Sequence, residues 1–453
     1  MIIRARLAAL ALGGFCLSAC VTAAPTPPAP SARSYADHLI GRLANLRQDH
    51  EAAAARYFSA LTRDRSNETL LEGAASASLA AGDVEGARRA ARLAPRDAGP
   101  PTVHLVRAAD ALAAGRAREA EQALEAVAGR ATQQLMAQSM RVWTEASAGG
   151  VDDVIADLAP FASIRPYGAL FSYQQAMALD FAGRDEEALT HYAQASVGGM
   201  YLPPAIERHA DLLARMNASE EAVALLSSDV NRVNPALAAA AERQRQGGAL
   251  ASAPLTPARG AAIGLYGLAA LFNEENDAAS ALEALTLALM LDPDLDAARL
   301  LFAQTQSDHG HPELARRALA QVPAGSPYAA SARVQEAWFL FDAGAREQAL
   351  AMVEAAVASG DVRAQRTLAD MYRSMRRYGD AEAIYTGMIA AQPNEWRLYF
   401  ARGAARERLD RWPEAEADFL RALELSPDQP DVMNYLAYTW VDRGENFDRA
   451  LPM

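Results

Sequence analysis

The sequence predicts an all-α protein built from stacked pairs of antiparallel helices. Composition is the first reason: 51% of the 453 residues are apolar but only 7% are aromatic. A core must therefore be built largely from Ala and Leu, which favour helices. Internal repetition is the second reason, because residues 377–395 align with residues 411–429 at a constant offset of 34. A period of a few tens of residues is typical of solenoids, in which each repeat packs on its neighbours.

Each repeat carries the same residue types at the same positions. Ala381 and Tyr385 in one unit correspond to Ala415 and Phe419 in the next, and a proline follows each pair. A small residue lets two helices approach closely, an aromatic residue one turn later fills the space between repeats, and proline ends the helix. The alanine recurs along the chain, and we call these residues the crossing positions. They are Ala53, Ala87, Ala120, Ala156, Ala188, Ala222, Ala281, Ala315, Ala349, Ala381, Ala415 and Ala450, of which Ala156 fits least well.

Small residues also lie twelve positions before most crossing positions, where the two helices of a pair are expected to cross. They are Gly41, Ala75, Ala176, Ala210, Ala269, Ala303, Ala337, Ala369 and Gly403. The interval from Ala222 to Ala281 is longer than the others and contains a segment that predicts an extra helix from Asn234, followed by a stretch rich in Gly and Pro. We therefore expect an N-terminal array over 34–230, an extra helix and hinge over 231–259, and a C-terminal array over 260–453. Two superhelical arms would meet near residues 247–259.

The first nineteen residues have the features of an export signal. Arg4 and Arg6 precede a short apolar run that is too short to cross a bilayer, which takes about 20 residues. The four residues ending at Cys20 resemble the lipobox of bacterial lipoproteins, which implies that Cys20 is acylated and becomes the new N-terminus. An ordinary secretory signal with an incidental cysteine is the alternative. Residues 20–33 would then be a lipidated cysteine and a Pro-rich tether, reaching roughly 40 Å from the membrane.

The A-x3-[FY]…P spacing resembles the tetratricopeptide repeat (TPR), a helix-turn-helix unit. That resemblance implies a right-handed superhelical solenoid of about 11–12 repeats. Lipobox, tether and repeats together resemble the large TPR outer-membrane lipoproteins of Gram-negative bacteria. This implies a periplasm-facing scaffold or adaptor that binds protein partners or extended peptides, for example to recruit an envelope protease, or pilus, secretion or cell-wall machinery. An envelope glycan-binding or export accessory protein is the alternative, and an all-helical hydrolase is a weaker one.

The sequence offers no catalytic motif. The net charge of −13 argues against nucleic acid as a partner. We find no nucleophile elbow, phosphate-binding loop or zinc-protease motif, and we predict neither enzyme activity nor a cofactor. Asp308, His309 and His311 surround a glycine at an inter-helix turn, where polar residues are expected in any case, so we predict no metal site there.

The TPR resemblance also implies a binding groove, because the first helix of each pair lines the concave face in that family. In the C-terminal array this places the following residues on the groove: Trp338, Phe341, Arg363, Arg366, Arg373, Arg397, Phe400, Arg408 and Tyr438. Arginine binds carboxylates through two parallel hydrogen bonds, so the predicted ligand is an acidic segment or a C-terminal carboxylate. The alternative is that these arginines only pair with carboxylates of their own helices, such as Asp370, Glu407 and Asp442.

The C-terminal end of the sequence breaks off within a repeat. A full first helix and a turn at Gly444 are followed by only a few residues of a second helix. A terminal repeat needs a partner to cover its apolar side. We therefore expect at least one further repeat beyond Met453, with a frayed end as the alternative.

Overall fold

The structure is a computed structural model that describes residues 32–96, 98–161, 164–247, 254–358 and 362–452, except for the side chains of Val362 and Arg363. The predicted signal, Cys20 and nearly all of the tether lie outside the described residues. The protein is all-α: 75% of it is helix, and the described residues contain no strand. Within the described part of the chain, no helix is long and apolar enough to cross a membrane.

The described residues form a TPR-like solenoid of paired helices. In chain order the helices are α1 (Ala32–Leu46), α2 (His50–Leu61), α3 (Glu68–Ala80), α4 (Val84–Leu93), α5 (Pro101–Ala113), α6 (Ala117–Glu125), α7 (Ala131–Ser147), α8 (Val151–Leu158), α9 (Gly168–Phe181), α10 (Asp185–Val197), α11 (Pro203–Arg215), α12 (Ser219–Leu226), α13 (Pro235–Arg245), α14 (Pro257–Glu274), α15 (Ala278–Leu291), α16 (Asp296–Asp308), α17 (Pro312–Leu319), α18 (Ala329–Asp342), α19 (Arg346–Ala358), α20 (Val362–Ser374), α21 (Tyr378–Ala391), α22 (Trp396–Arg408), α23 (Trp412–Leu425), α24 (Pro430–Arg443) and α25 (Phe447–Ala450).

The turn inside many helix pairs requires a left-handed residue. Glycine takes this conformation at Gly82, Gly115 and Gly183, with φ angles of 74°, 72° and 74°. It does so readily because it has no Cβ atom to meet the following carbonyl oxygen. Asparagine, which tolerates the same region, occupies it at Asn217 and Asn276. These residues fix where the chain reverses and so set the length of each helix.

Burial confirms the crossing positions with one exception. Ala450 is 8% exposed, and ten others are fully buried at 0%: Ala53, Ala87, Ala120, Ala188, Ala222, Ala281, Ala315, Ala349, Ala381 and Ala415. Ala156 is exposed, so the predicted register is wrong in α8. Val154 and Leu158 are fully buried there instead, and Val154 lies 34 residues from the crossing positions on either side. A search for alanine missed this site because a larger apolar side chain occupies the crossing.

The glycines twelve positions before a crossing position make room for an aromatic ring. A Cβ atom at Gly403 would lie 2.8 Å from the ring of Phe419, and one at Gly41 would lie 3.2 Å from the ring of Tyr57. Both rings belong to residues four positions after a crossing alanine, and both are almost fully buried. The two repeat positions therefore depend on each other, since the glycine is small where its partner is large.

The helix pair that follows the predicted break packs back against the N-terminal array. The extra helix α13 lies where the sequence predicts one, and α14 begins at Pro257. Helix α15 contacts α3, α5 and α7, while α14 contacts α5, α7 and α9. These are first helices of their pairs, which line the concave side in a TPR solenoid. Twelve of the fourteen residues of α15 are buried, so the chain fills this part of its own groove.

Polar contacts join the two arrays at the end of α3. The Thr286 hydroxyl donates a hydrogen bond of 2.7 Å to the Leu79 carbonyl oxygen, and the Gln306 side-chain amide donates one of 2.6 Å to the Ala80 carbonyl oxygen. The second bond satisfies a carbonyl group at the end of the helix, and the first adds to the hydrogen bond that the Gly82 N–H already donates to Leu79. One hydrophobic core accordingly extends from residue 53 to residue 339, across the break. The domain boundaries at 231–259 remain a prediction.

A buried carboxylate lies in this junction. The side chain of Glu283 on α15 is 1% exposed, accepts a short hydrogen bond from the Ser76 hydroxyl, and lies 3.5 Å from the Arg130 guanidinium. Burial raises the pKa of the Glu283 carboxyl to about 7, and Arg130 and Ser76 offset this only in part. The packing of α15 into the groove is therefore sensitive to the charge of one residue.

The remaining helices form two smaller cores beyond the junction. One core extends from Ala337 to Leu398 and includes Tyr385, and the last one extends from Ala404 to Ala450 and includes Phe419 and Trp440. These helices do not wrap around another part of the described chain in the way that the N-terminal array does. Their concave side is therefore open.

Overpacking tests the repeat register. Ala381→Leu and Ala415→Leu place a large side chain where two helices cross at 0% exposure, so we expect each to lower the free energy of unfolding by about 1–3 kcal/mol. Ala383→Leu and Ala417→Leu are matched controls on the exposed sides of the same two helices and are expected to be nearly neutral. Urea unfolding followed by circular dichroism measures all four. Equal effects at crossing and control sites would contradict the register.

A pH series tests the buried carboxylate. Between its ordinary pKa of 4.5 and its folded value of about 7, Glu283 holds a proton in the folded state that the unfolded chain has released. Stability contributed by this group is therefore present at low pH and lost as the pH rises through this window. Glu283→Gln should remove that loss. Between about pH 5 and pH 8, the free energy of unfolding of the parent should fall by about 3 kcal/mol relative to that of the variant. Glu274→Gln, an exposed control, should keep the pH dependence of the parent.

Candidate interaction groove

The open concave side of the last repeats forms a groove with a volume of about 560 Å³. Helices α20, α22 and α24 provide most of its wall, and they are the first helices of consecutive pairs. We call it the C-terminal groove, and it is lined by Arg366, Asp370, Arg373, Ser374, Tyr378, Trp396, Arg397, Phe400, Ala401, Ala404, Arg408, Asp431 and Tyr435. On α22 the lining residues Trp396, Phe400, Ala404 and Arg408 follow one another at intervals of four, which places them along one face of the helix.

The charge of the C-terminal groove is opposite to that of the whole protein. Four arginines and two aspartates line it, which gives a net charge of +2, whereas the chain carries −13. A concave surface concentrates the field of its charges. The groove is therefore a positively charged surface on an otherwise acidic protein.

The groove arginines are held only loosely by their own carboxylates. Arg366 and Arg373 lie 3.9 Å and 3.8 Å from Asp370, and their side chains remain 45% and 47% exposed. The hydroxyl of Tyr385 donates a hydrogen bond of 2.6 Å to the same carboxylate. Asp370 therefore already has a good donor, and both guanidinium groups lie beyond hydrogen-bond distance of it.

The other two groove arginines resemble this pair. Arg397 lies 3.4 Å from Glu395 and stacks over the ring of Trp396 at 4.7 Å, while Arg408 lies 3.3 Å from Glu407. Their side chains are 56% and 60% exposed. Internal pairing of the groove arginines, the alternative considered from the sequence, thus occurs but leaves about half of each side chain exposed.

Two other arginines of α22 form buried ion pairs that join neighbouring helices. Arg402 forms two hydrogen bonds to Asp418, of 2.7 and 2.9 Å, and is 12% exposed. Arg406 binds Asp418 at 2.9 Å and Glu382 at 2.8 Å and is 16% exposed. These bonds join α22 to α21 and α23. The sequence analysis assigned neither of these two arginines to the groove.

Aromatic rings form the apolar floor of the groove. Phe400 meets Tyr435 edge to face, with ring centroids 5.8 Å apart, and also lies 5.9 Å from Phe419. The Tyr435 hydroxyl donates a hydrogen bond of 3.2 Å to Glu407. Burial, with a contribution from Glu407, raises the pKa of Tyr435, so its hydroxyl stays protonated at neutral pH. Rigid rings beside exposed guanidinium groups are the typical composition of a peptide-binding surface.

Some predicted groove residues lie elsewhere. Phe341 is 7% exposed and packs in the core with Trp338, whose ring lies 5.5 Å away. Trp338 borders a different depression, between α16 and α18. Tyr438 is 72% exposed and does not line the C-terminal groove. The side chain of Arg363 and the whole of Cys20 lie outside the described residues.

The structure adds residues that the sequence analysis missed. On α22, Trp396 lies one position before the expected Arg397. On α24, Asp431 lies one turn before Tyr435, and neither of these two was expected. On that helix the expected groove residue was Tyr438, three positions after Tyr435. The signal available in the sequence was the constant interval of four residues between Trp396, Phe400, Ala404 and Arg408, which places them on one face of a helix.

The described residues contain no group of three or more His, Cys, Asp or Glu residues that could hold a metal ion. His309 and His311 do not converge on a common point as ligands. The His309 ring nitrogen Nδ1 contacts the Thr305 carbonyl oxygen at 2.8 Å, and the His311 ring lies 6.2 Å from that of His50. Both side chains are therefore part of the packing between α2, α16 and α17.

The fold and the groove together define an all-α repeat protein of the TPR-like class. No family model matches the chain, and no curated protein matches it. A crystal structure of MamA protein is 25% identical and covers 35% of this chain and 87% of that one, with a TM-score of 0.28. A crystal structure of PilW, described as a widely conserved type IV pilus biogenesis factor, is 20% identical and covers 42% of this chain and 88% of that one, with a TM-score of 0.35. With TM-scores below 0.5, these similarities assign no function to this chain.

Unfolding experiments distinguish the two kinds of arginine. Asp418→Ala would leave the buried guanidinium groups of Arg402 and Arg406 without their common partner, so we expect a loss of about 3 kcal/mol in the free energy of unfolding. Arg366→Ala and Arg397→Ala remove exposed, weakly paired groups, and each should change it by less than about 0.5 kcal/mol. Urea titrations give both values. A large loss in the Arg366 or Arg397 variant would mean that these residues hold the solenoid together.

Proposed function

We propose that this protein is a scaffold or adaptor that binds an acidic protein segment, or a free C-terminal carboxylate, in the C-terminal groove. The observation that carries the proposal is the set of four exposed arginines around an aromatic floor in a protein of net charge −13. Their guanidinium groups are oriented by the helices but are not used up by internal ion pairs. Arginine in this state binds carboxylates with charge-assisted, often bidentate hydrogen bonds.

The two ends of the solenoid contribute differently to this function. In the N-terminal array, the concave side between α3 and α9 is occupied by α14 and α15. A peptide could enter there only by displacing a buried helix, whereas the C-terminal groove is open. We therefore place partner binding in the last repeats and assign the N-terminal array a supporting role.

We further propose that the scaffold works at the cell envelope. The four residues that end at Cys20 resemble a lipobox, and a short apolar run with two arginines before it precedes them, which supports lipidation. The Pro-rich tether supports a folded body that is held near a membrane. The outer membrane, with the protein facing the periplasm, is the site that the lipoprotein resemblance favours. Recruitment of an envelope protease, or of pilus, secretion or cell-wall machinery, is the kind of role that such an adaptor would have.

Peptide binding tests the C-terminal groove directly. We expect Arg366→Ala/Arg397→Ala/Arg408→Ala to bind peptides with acidic C-termini at least about tenfold more weakly than the parent, because each charge-assisted hydrogen bond contributes about 1.5–3 kcal/mol. A triple control, Arg92→Ala/Arg232→Ala/Arg421→Ala, changes the net charge equally at exposed sites outside the groove. A peptide array that pairs each free C-terminus with its amide, followed by titration of the best sequences, gives the affinities. Equal affinity of the groove variant and the control would reject the groove as the site.

Fractionation tests the membrane attachment. Cys20→Ser removes the thiol that would carry lipid, so an alkaline carbonate wash, which strips peripheral proteins from membranes, should release the variant but not the parent. Cys16→Ser, in the predicted signal, is the matched control and should leave the distribution as it is. Retention of the Cys20→Ser protein in the outer membrane at parent levels after that wash would contradict anchoring through this cysteine.

A further inference from the structure

The first helix carries an apolar face that no other described part of the chain covers. Sixteen large hydrophobic side chains of the described residues are exposed, and five of them belong to the fifteen residues of α1. They are Tyr35, Leu39, Ile40, Leu43 and Leu46, which are between 44% and 80% exposed. We call these five residues the α1 stripe. Terminal repeats of a solenoid normally present a polar outer face, so the stripe requires an occupant.

Helical geometry places the α1 stripe directly opposite the core. At about 100° per residue, Tyr35, Leu39, Leu43 and Leu46 fall within an arc of about 80°, and Ile40 lies outside this arc. The buried residues of α1 are Ser34, Asp37 and Gly41, which fall on the other side of the helix. The stripe is therefore a second apolar face of α1 and not the edge of the hydrophobic core.

Positive charge borders the α1 stripe. Arg33, Arg42 and Arg47 are exposed and lie on its two sides. The one acidic residue within α1, Asp37, points inward: it accepts a hydrogen bond of 2.8 Å from Ser59 and lies 3.4 Å from Arg56. The outer side of α1 is thus basic although the whole protein is acidic. An apolar stripe bordered by arginines is typical of a helix that lies in the interface of a membrane with anionic lipids.

Chain connectivity brings α1 near the lipid. Eleven residues separate Cys20 from the start of α1, and a Pro-rich chain of that length spans roughly 34 Å at about 3.1 Å per residue. The tether limits how far α1 can be from the membrane but sets no minimum distance. Stable attachment of a lipidated protein often uses a second signal beside the acyl chains, and an amphipathic helix is one such signal.

We propose that α1 lies on the surface of an anionic phospholipid membrane, with the α1 stripe buried at the boundary between headgroups and acyl chains. Arg33, Arg42 and Arg47 would bind the phosphate groups at the same depth. This contact fixes the orientation of the first repeat and complements the proposed anchoring at Cys20, but it does not need the lipid. The solenoid is then attached to the membrane by its first helix as well as through a flexible tether.

Vesicle binding by the unlipidated protein tests the proposal. The chain from Val21 onward lacks the signal and both cysteines, so neither can attach it to lipid. We expect it to co-float with vesicles of phosphatidylethanolamine and phosphatidylglycerol, and to bind less to vesicles of phosphatidylcholine alone. Leu39→Gln/Leu43→Gln should reduce the bound fraction at least about fivefold. Val197→Gln/Val230→Gln, which changes two exposed apolar residues elsewhere, should bind like the parent.

A site-specific label locates the contact. Leu39→Cys in the same cysteine-free chain, labelled with an environment-sensitive dye, should shift its emission to the blue when the anionic vesicles are added, while the dye at Val197→Cys should not. Absence of vesicle binding, equal binding of the Leu39/Leu43 variant, or equal shifts at both labels would overturn the proposal. A dimer that the Leu39→Gln/Leu43→Gln change dissociates would also overturn it, because a second copy would then cover the stripe. None of these results depends on whether Cys20 is acylated, so the outcome is separate from that of fractionation.

Discussion

The close approach of helices at the crossing positions is the constraint on which the rest of this structure depends. A buried alanine on one helix and a small residue twelve positions earlier bring two backbones together, as at Ala415 and Gly403. The space that they leave is filled by the ring four residues further on, which at Phe419 packs on the neighbouring repeat. Because interiors are close-packed, a change at any of the three positions is felt at the others. The repeat period is the sequence record of this contact.

Stacking the repeats produces two concave surfaces, of which one is filled by other helices of the chain and the other is open. The N-terminal surface encloses α14 and α15, and the hydrogen bonds at Leu79 and Ala80 together with the buried Glu283 fix those helices there. The C-terminal surface stays open and collects arginines and aromatic rings. Both are built from the same repeat, but among the described residues the path of the backbone returns α14 and α15 to the N-terminal surface and not to the C-terminal one.

The groove shows how one helix separates two roles of arginine. Side chains on one face of α22, Arg402 and Arg406, are enclosed by carboxylates of the adjacent helices and join the repeat to its neighbours. Those on the concave face, Arg397 and Arg408, each pair with a glutamate of nearby sequence and remain exposed. A desolvated ion pair is costly to break, whereas an exposed one contributes little to folding. The concave arginines therefore contribute little to the stability of the fold.

The sequence alone determined the all-α repeat fold, the phase of all but one repeat, and a stripe of arginines and aromatics in the last repeats. It could do so because each of these depends on contacts between residues close in the chain, which recur at a fixed spacing. It did not determine the register at Val154 or the burial of Phe341, since these depend on which neighbour a helix face meets. Nor could it show that α15 fills the N-terminal groove. That contact joins residues about two hundred positions apart, such as Ser76 and Glu283, and only the superhelical path of the backbone brings them together.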